Sequence, residues 1–343
     1  MSVSGAPFIA AEEYYLSNDL STNATGPRDA ALNLIPNHTI SKLRNTGPSR
    51  IRDMRSAGVS MQILSHIPID ATAKTCQKMN DMLYTSVVTN QDRFTALALL
   101  PIGDAKEAAS ELQRCVTKYR FVGGVLGFRR DGPMLDSSEW DAIWTVVEKY
   151  KVPIALRPLF PSLDQLSEYA GSAPQSVLYS LTTAFHTFHI TSPMLILRLY
   201  AAGIFDRHPN LHILISQLGH SIPELVPRIE SCVASWPDST KPRRSFLEVW
   251  QTNFYVSLAD MQDLASLKPL LEHIPVDRIL YAGNYPWEEK SKALMAELKD
   301  SELLAKEEWE KVAWKNAERL FGLKSAGGDK GRAFGRISGA YTP

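Results

Sequence analysis

From Pro7 to Gly322 short apolar runs alternate with longer helix-forming stretches, and few folds accommodate that rhythm. The apolar runs are PFIAAE at 7–12, VSMQILSHIP at 59–68, FTALALLP at 94–101 and FVGGVLGF at 121–128. They continue with VPIALRP at 152–158, LHILI at 211–215, NFYVSL at 253–258 and RILYAGNYP at 278–286. Each has the length of a strand and lacks strict polar alternation, the pattern of strands buried on both faces. Between them the spacing predicts helices over 49–57, 70–89, 104–119, 136–150, 177–202, the stretch after Ser221, 264–273, and a pair over 290–322. A parallel partner strand needs a crossover connection, so this alternation builds a parallel sheet. About eight such units point to a closed (β/α)8 barrel of the TIM type. An open nucleotide-binding sheet would carry GxGxxG after its first strand, where IAAEEYY stands instead.

Two stretches interrupt the rhythm. Residues 19–48 are rich in Asn, Pro, Gly and Thr and read as a long, irregular, lid-like insertion after the first strand. Residues 162–173 are polar and read as a loop. The helical pair over 290–322 extends a single barrel domain, 1–323, and the Gly-rich 324–343 segment, with Lys330, Arg332 and Arg336, reads as a flexible tail. Lys plus Arg equals Asp plus Glu at 37 each, so no bulk field favours nucleic acid or an anionic membrane. Cys76, Cys115 and Cys232 are far apart with no CxxC, which suits reduced thiols. No basic-then-apolar leader opens the sequence and no apolar run approaches a membrane span, so a soluble cytoplasmic protein with a small-molecule partner is expected.

In parallel barrels active sites are built at the carboxyl ends of the strands. Glu12 and Tyr14, His66, Arg157, His220 and Asn284 fall there. In LHILISQLGHSIPELVPR, Ser221 and Glu224 have the spacing of a capping box, placing His220 between a strand and a helix. His186 and His189 share a helix face, with His186 bordering the mouth, and Tyr14, Tyr285 and Trp287 are candidates for an aromatic wall.

The order of these elements resembles the amidohydrolase superfamily, in particular its decarboxylase branch acting on hydroxybenzoates and on aminocarboxymuconate semialdehyde. The resemblance runs from Phe8 to Leu323. It rests on IAAEEYY, RDMRSAGVSMQILS, DRFTALALLP, WDAIWTVVEKYKVPIALRP, GIFDRHPNLHILISQLGH, DRILYAGNYPWE and NAERLFGL. It implies one divalent metal held by four groups: an E-x-H or H-x-H pair on the first strand, a His in an LHP-like strand, and an Asp in an SxDYP-like one. Glu12 matches the first ligand, but Tyr14, Arg157 and Asn284 stand at the other three. His220 matches the His of a GHxGE element whose Glu has no aligned counterpart, and Arg228 falls near an Arg the family keeps on that helix.

Arg offers no lone pair and does not deprotonate, Asn lacks charge, and Tyr would have to ionise far below a pKa of about 10. No metal and no cofactor are therefore expected. Arg157 either pairs with Glu12 in the vacated hole or grips a substrate carboxylate or phenolate with two hydrogen bonds, and the two are compatible. The expected function is a metal-independent lyase, decarboxylase-like or a proton-shuffling cyclase or isomerase, acting on a small acidic aromatic or polyketide-like compound. His220 and Glu12 are the expected catalytic pair. Arg157, His66, Tyr14, Asn284, Trp287, His186 and Arg228 are the expected substrate-binding residues. The alternatives are a metal site rearranged onto Glu12, His186, His189 and His220, and a catalytically silent ligand-binding or partner protein. The resemblance also admits a homodimer.

Overall fold

All eight apolar runs become parallel strands of one sheet in the computed structural model, in the order in which they occur in the chain. These are β1 (Phe8–Tyr15), β2 (Val59–His66), β3 (Phe94–Leu100), β4 (Gly124–Phe128), β5 (Ile154–Pro158), β6 (Ile213–Ile215), β7 (Phe254–Ser257) and β8 (Ile279–Leu280). The structure describes residues 8–20, 27–129, 132–287, 290–325 and 334–336. Closure comes from the chain just beyond β8, since Ala11 N–H donates to Tyr281 C=O (2.9 Å) and Tyr14 N–H donates to Tyr285 C=O (3.0 Å). The expected (β/α)8 barrel is thus the fold.

Short polar side chains start the helices around it. Thr72 accepts from Thr75 N–H at the head of Ala73–Thr89, and Asp104 accepts from Lys106 and Glu107 N–H at the head of Ala105–Arg114. The C-terminal extension completes the closing edge. Tyr281 N–H donates to Val312 C=O (3.0 Å), and Phe8 packs against both Tyr281 and Trp309. Among the described residues no helix is long and apolar enough to cross a membrane.

Four local expectations differ from the structure. The 19–48 insertion is largely helical, with a 3-10 helix over Pro27–Leu34 and an α-helix over Asn37–Arg44; residues 21–26 lie outside the described residues. Its scattered apolar residues Leu32, Ile35, Ile40 and Leu43 are buried against the barrel, and that burial outweighs a composition poor in helix formers. The 162–173 stretch holds a helix, Leu163–Ala170, headed by a Ser162–Gln165 capping box. The Ser221–Glu224 capping box does not form. Ser221 adopts a left-handed conformation (φ 66°), from which its hydroxyl caps nothing, and the helix runs from Ile222 to Ala234 uncapped. Finally, Phe334–Arg336 of the expected flexible tail pairs antiparallel with Leu323–Ser325, which spans the expected boundary at 323/324.

Candidate active site

Two residues apart on one strand means one face, so Glu12 and Tyr14 both point into the barrel while Glu13 points away. Glu12 is fully buried. Its Oε1 accepts from Arg157 Nη1 (3.0 Å) and from the Tyr14 hydroxyl (2.7 Å), and its Oε2 accepts from the Ser257 hydroxyl. The ends of β1, β5 and β7 therefore meet on one carboxylate. The Arg157 guanidinium also lies against the Tyr14 ring, 4.6 Å from its centroid, and is itself fully buried. Its Nε and Nη2 make no hydrogen bond among the described residues.

This cluster fixes its own protonation. Burial, reinforced by the neighbouring Glu12, pushes the Tyr14 phenol well above its ordinary range. Burial alone would lower Arg157, but the Glu12 carboxylate beside it outweighs burial and holds the guanidinium protonated. The cluster thus contains one anion, one cation and a neutral phenol. These residues do not fit a divalent ion. Both Glu12 oxygens are occupied, burial holds the phenol protonated, and a cation stands where a donor is required. Among the described residues no three His, Cys, Asp or Glu side chains are grouped to hold a metal. The rearranged set is not described in full, because the side chains of His186 and His189 lie outside the described residues.

Above the cluster opens a cavity of about 750 Å³. Tyr14 forms part of it with Phe160, Tyr179 and Trp287, and Trp287 is held edge-on to Tyr14 (4.9 Å) while its Nε1–H donates to the Tyr179 hydroxyl (2.8 Å). Asn284, Gln217 and Gln262 supply polar groups, Lys42 and Lys290 supply positive charge, and Asp260 supplies one negative charge. The chain reaches this mouth after β6 through five successive left-handed residues, Gln217 (φ 46°), Leu218 (56°), Gly219 (83°), His220 (52°) and Ser221 (66°). Only Gly adopts that conformation freely; each of the others costs about 1–2 kcal/mol. Gly219 is also crowded, since a Cβ there would lie 3.2 Å from the Trp250 ring and would push it by a few tenths of an ångström. The turn leaves His220 fully buried at the β6 end.

The predicted site residues separate accordingly. Glu12, Tyr14 and Arg157 touch one another, and Tyr14, Asn284 and Trp287 line the cavity. His66 is committed to the fold, its Nδ1–H donating to Ile67 C=O (2.7 Å) and its Nε2 accepting from Ser17 N–H (3.1 Å). Arg228 is exposed on the helix after His220 and does not line the cavity. Sequence reasoning missed Ser257 and Gln217, although both follow the signal that singled out His220, a polar residue where an apolar run stops.

Behind β1 lies a second buried carboxyl. Glu13 accepts from Gly283 N–H (2.6 Å) and Gln62 Nε2 (2.7 Å), and Gln62 accepts from Arg50 Nε (2.7 Å). A Cβ at residue 283 would sit 2.6 Å from the Glu13 carboxylate, so Gly283 permits the approach. Burial raises Glu13 from 4.5 to about 8 despite Arg50 and the Gly283 N–H. The folded chain then holds a proton that the unfolded chain releases between these values, so stability falls as pH rises through this window and levels off above it. Urea unfolding is expected to show a loss on the order of 1–3 kcal/mol between pH 5 and pH 8 that is absent in Glu13→Gln. An unchanged slope in the variant would assign the dependence elsewhere. His66 acts on the acid side. Burial lowers it to about 4, so its contribution is lost as pH falls below the ordinary His range.

The amidohydrolase family model matches residues 45–323. The decarboxylase orsB of Emericella nidulans is 32% identical over 320 residues, covering 92% of this chain and 96% of its own. The gamma-resorcylate decarboxylase of Rhizobium sp. is 29% identical over 340 residues, covering 93% of this chain and 99% of its own. A dihydroxybenzoic acid decarboxylase from Polaromonas sp., solved with manganese and the inhibitor 2-nitroresorcinol, superposes with a TM-score of 0.79 at 24% identity over 92% of this chain and 97% of that one, a likeness of fold.

Proposed function

The chain belongs to the amidohydrolase family, on its decarboxylase branch, and from that premise we propose that it is a carboxy-lyase acting on a small acidic aromatic compound without a divalent ion in the barrel. The relatives named for decarboxylation support the reaction class. The observation that carries the metal-free reading is the Glu12–Arg157 pair, sealed by Tyr14 at the positions where the family resemblance puts metal ligands. A divalent ion with Glu, Asp and two neutral His ligands is a neutral site. Glu12, Arg157, Tyr14 and Asn284 are neutral as well, so the replacement conserves charge.

In this reading the aromatic ring lies between Tyr14, Trp287 and Phe160, and the carboxylate faces the positive rim of Lys42 and Lys290. Arg157 contributes a fixed positive charge from behind Tyr14. Decarboxylation adds a proton to the ring carbon that carries the carboxylate; the carbon–carbon bond breaks, its electrons stay with the ring, and CO2 leaves. His220 is the group assigned to deliver that proton in this reading, because Asn284 carries none; it is fully buried at the β6 end behind the residues that line the cavity, so delivery requires the left-handed turn to shift. A second reading, a barrel that binds such acids without turning them over, is favoured by one observation: Tyr14 lies across Arg157.

The test is CO2 release from 2,6-dihydroxybenzoate and related aromatic acids by protein dialysed against a chelator, with metal content measured by mass spectrometry. Undiminished turnover without stoichiometric metal is expected. Activity that disappears with the chelator and returns with manganese overturns the metal-free reading, and binding without CO2 release selects the second one.

A further inference from the structure

We infer that the cavity takes an acid with two aromatic rings, the second of them lying along Trp287 and Tyr179. The inference rests on the reading that an acidic aromatic compound occupies the cavity, and concerns how far that compound extends. Size is the first observation. The cavity measures about 750 Å³, within the range that accommodates ligands of drug size. A dihydroxybenzoate has about 11 non-hydrogen atoms and at protein packing density fills only roughly 220 Å³.

The second observation is where the remaining room lies. Tyr14 is 4% exposed and covers Arg157, so the floor is closed. From Tyr14 an aromatic wall runs outward. Trp287 meets Tyr14 edge-on at 4.9 Å, and its Nε1–H donates to the Tyr179 hydroxyl (2.8 Å). Trp287 and Tyr179 are half-buried where Tyr14 is buried, so the wall climbs toward the rim. The exposed members of the lining, His38, Gln262 and Lys290, are polar, so apolar contact ends at that rim. One ligand ring held between Tyr14 and Phe160 leaves the outer part of this wall in water. A second ring covers it and removes apolar surface of both partners from water. The Trp287–Tyr179 hydrogen bond holds that surface in place beforehand, so little ordering opposes the contact.

Calorimetric titration of the intact chain with a matched pair, 2-hydroxybenzoate and 2-hydroxybiphenyl-3-carboxylate, isolates the second ring. Wild type is expected to bind the two-ring acid about tenfold more tightly. Tyr179→Ala, which removes the outer ring of the wall, is expected to cut that advantage to about twofold, and Tyr179→Phe, which keeps the ring, to retain it. Circular dichroism verifies that both variants are folded. Equal or weaker binding of the two-ring acid by wild type overturns the inference, as does an undiminished advantage in folded Tyr179→Ala. Failure of wild type to bind either acid instead removes the reading of the cavity on which this rests.

Discussion

Replacing Arg157 by Ala is expected to lower the unfolding free energy by about 3–5 kcal/mol, a fall in Tm of roughly 5–10 °C. The size follows from what remains. Glu12 stays fully buried, keeps only the Tyr14 and Ser257 hydroxyls, and loses its cation. An isolated buried charge costs far more than the pair does, because the pair's attraction largely offsets its own desolvation. Tyr14 also loses the guanidinium beneath its ring. The contrast is the double variant Glu12→Gln/Arg157→Met, which removes both charges and retains an acceptor for Tyr14 and Ser257. It is expected to recover most of the loss, since neutral groups of similar volume replace buried ion pairs at little or no cost. Urea unfolding of both variants decides the matter. An Arg157→Ala protein within about 1 kcal/mol of wild type would mean that water reaches the pair, as it does for surface ion pairs.

The barrel was legible because burial on both faces leaves apolar runs whose count and spacing survive in the sequence, and all eight became strands. The 19–48 insertion was misread because its apolar residues are spaced to meet a surface the chain has yet to form. The Ser221–Glu224 signature failed for a different reason. A capping box requires extended backbone at the cap, and the turn that carries His220 is left-handed throughout. At the site, the family resemblance put Glu12 and Arg157 at neighbouring ligand positions, and a guanidinium in an apolar strand needs a counter-charge nearby, so their pairing was one of the two relations open to Arg157. Depth was not legible. That Tyr14 lies over Arg157, so that the mouth is lined by Tyr14 and Gln217 with the guanidinium out of reach beneath, depends on side-chain directions at three strand ends. His66 shows the converse, because its sequence position suits the mouth while its two nitrogens close a backbone turn.

If three substitutions removed the metal, three should return it. The variant Tyr14→His/Arg157→His/Asn284→Asp is expected to bind one divalent ion per chain, and wild type is expected to bind none. With Glu12 it regains the E-x-H, LHP-like and DYP-like donors that the family resemblance implies, and two of the replaced side chains already contact Glu12. Charge favours the result. Losing Arg157 and gaining a carboxylate leaves the centre two charges more negative, a deficit that a divalent ion neutralises and that water cannot fill cheaply in a buried site. The same arithmetic explains why Arg157→His alone should bind metal weakly: Glu12 and one imidazole leave the remaining two positions to a neutral phenol and an amide. Titration with manganese and zinc, monitored by calorimetry and by metal analysis after gel filtration, provides the measurement. A triple variant that folds but takes up no ion would show that the backbone around Glu12 has moved away from metal-binding geometry, and an ion retained by wild type would show that the Glu12–Arg157 pair opens to admit one.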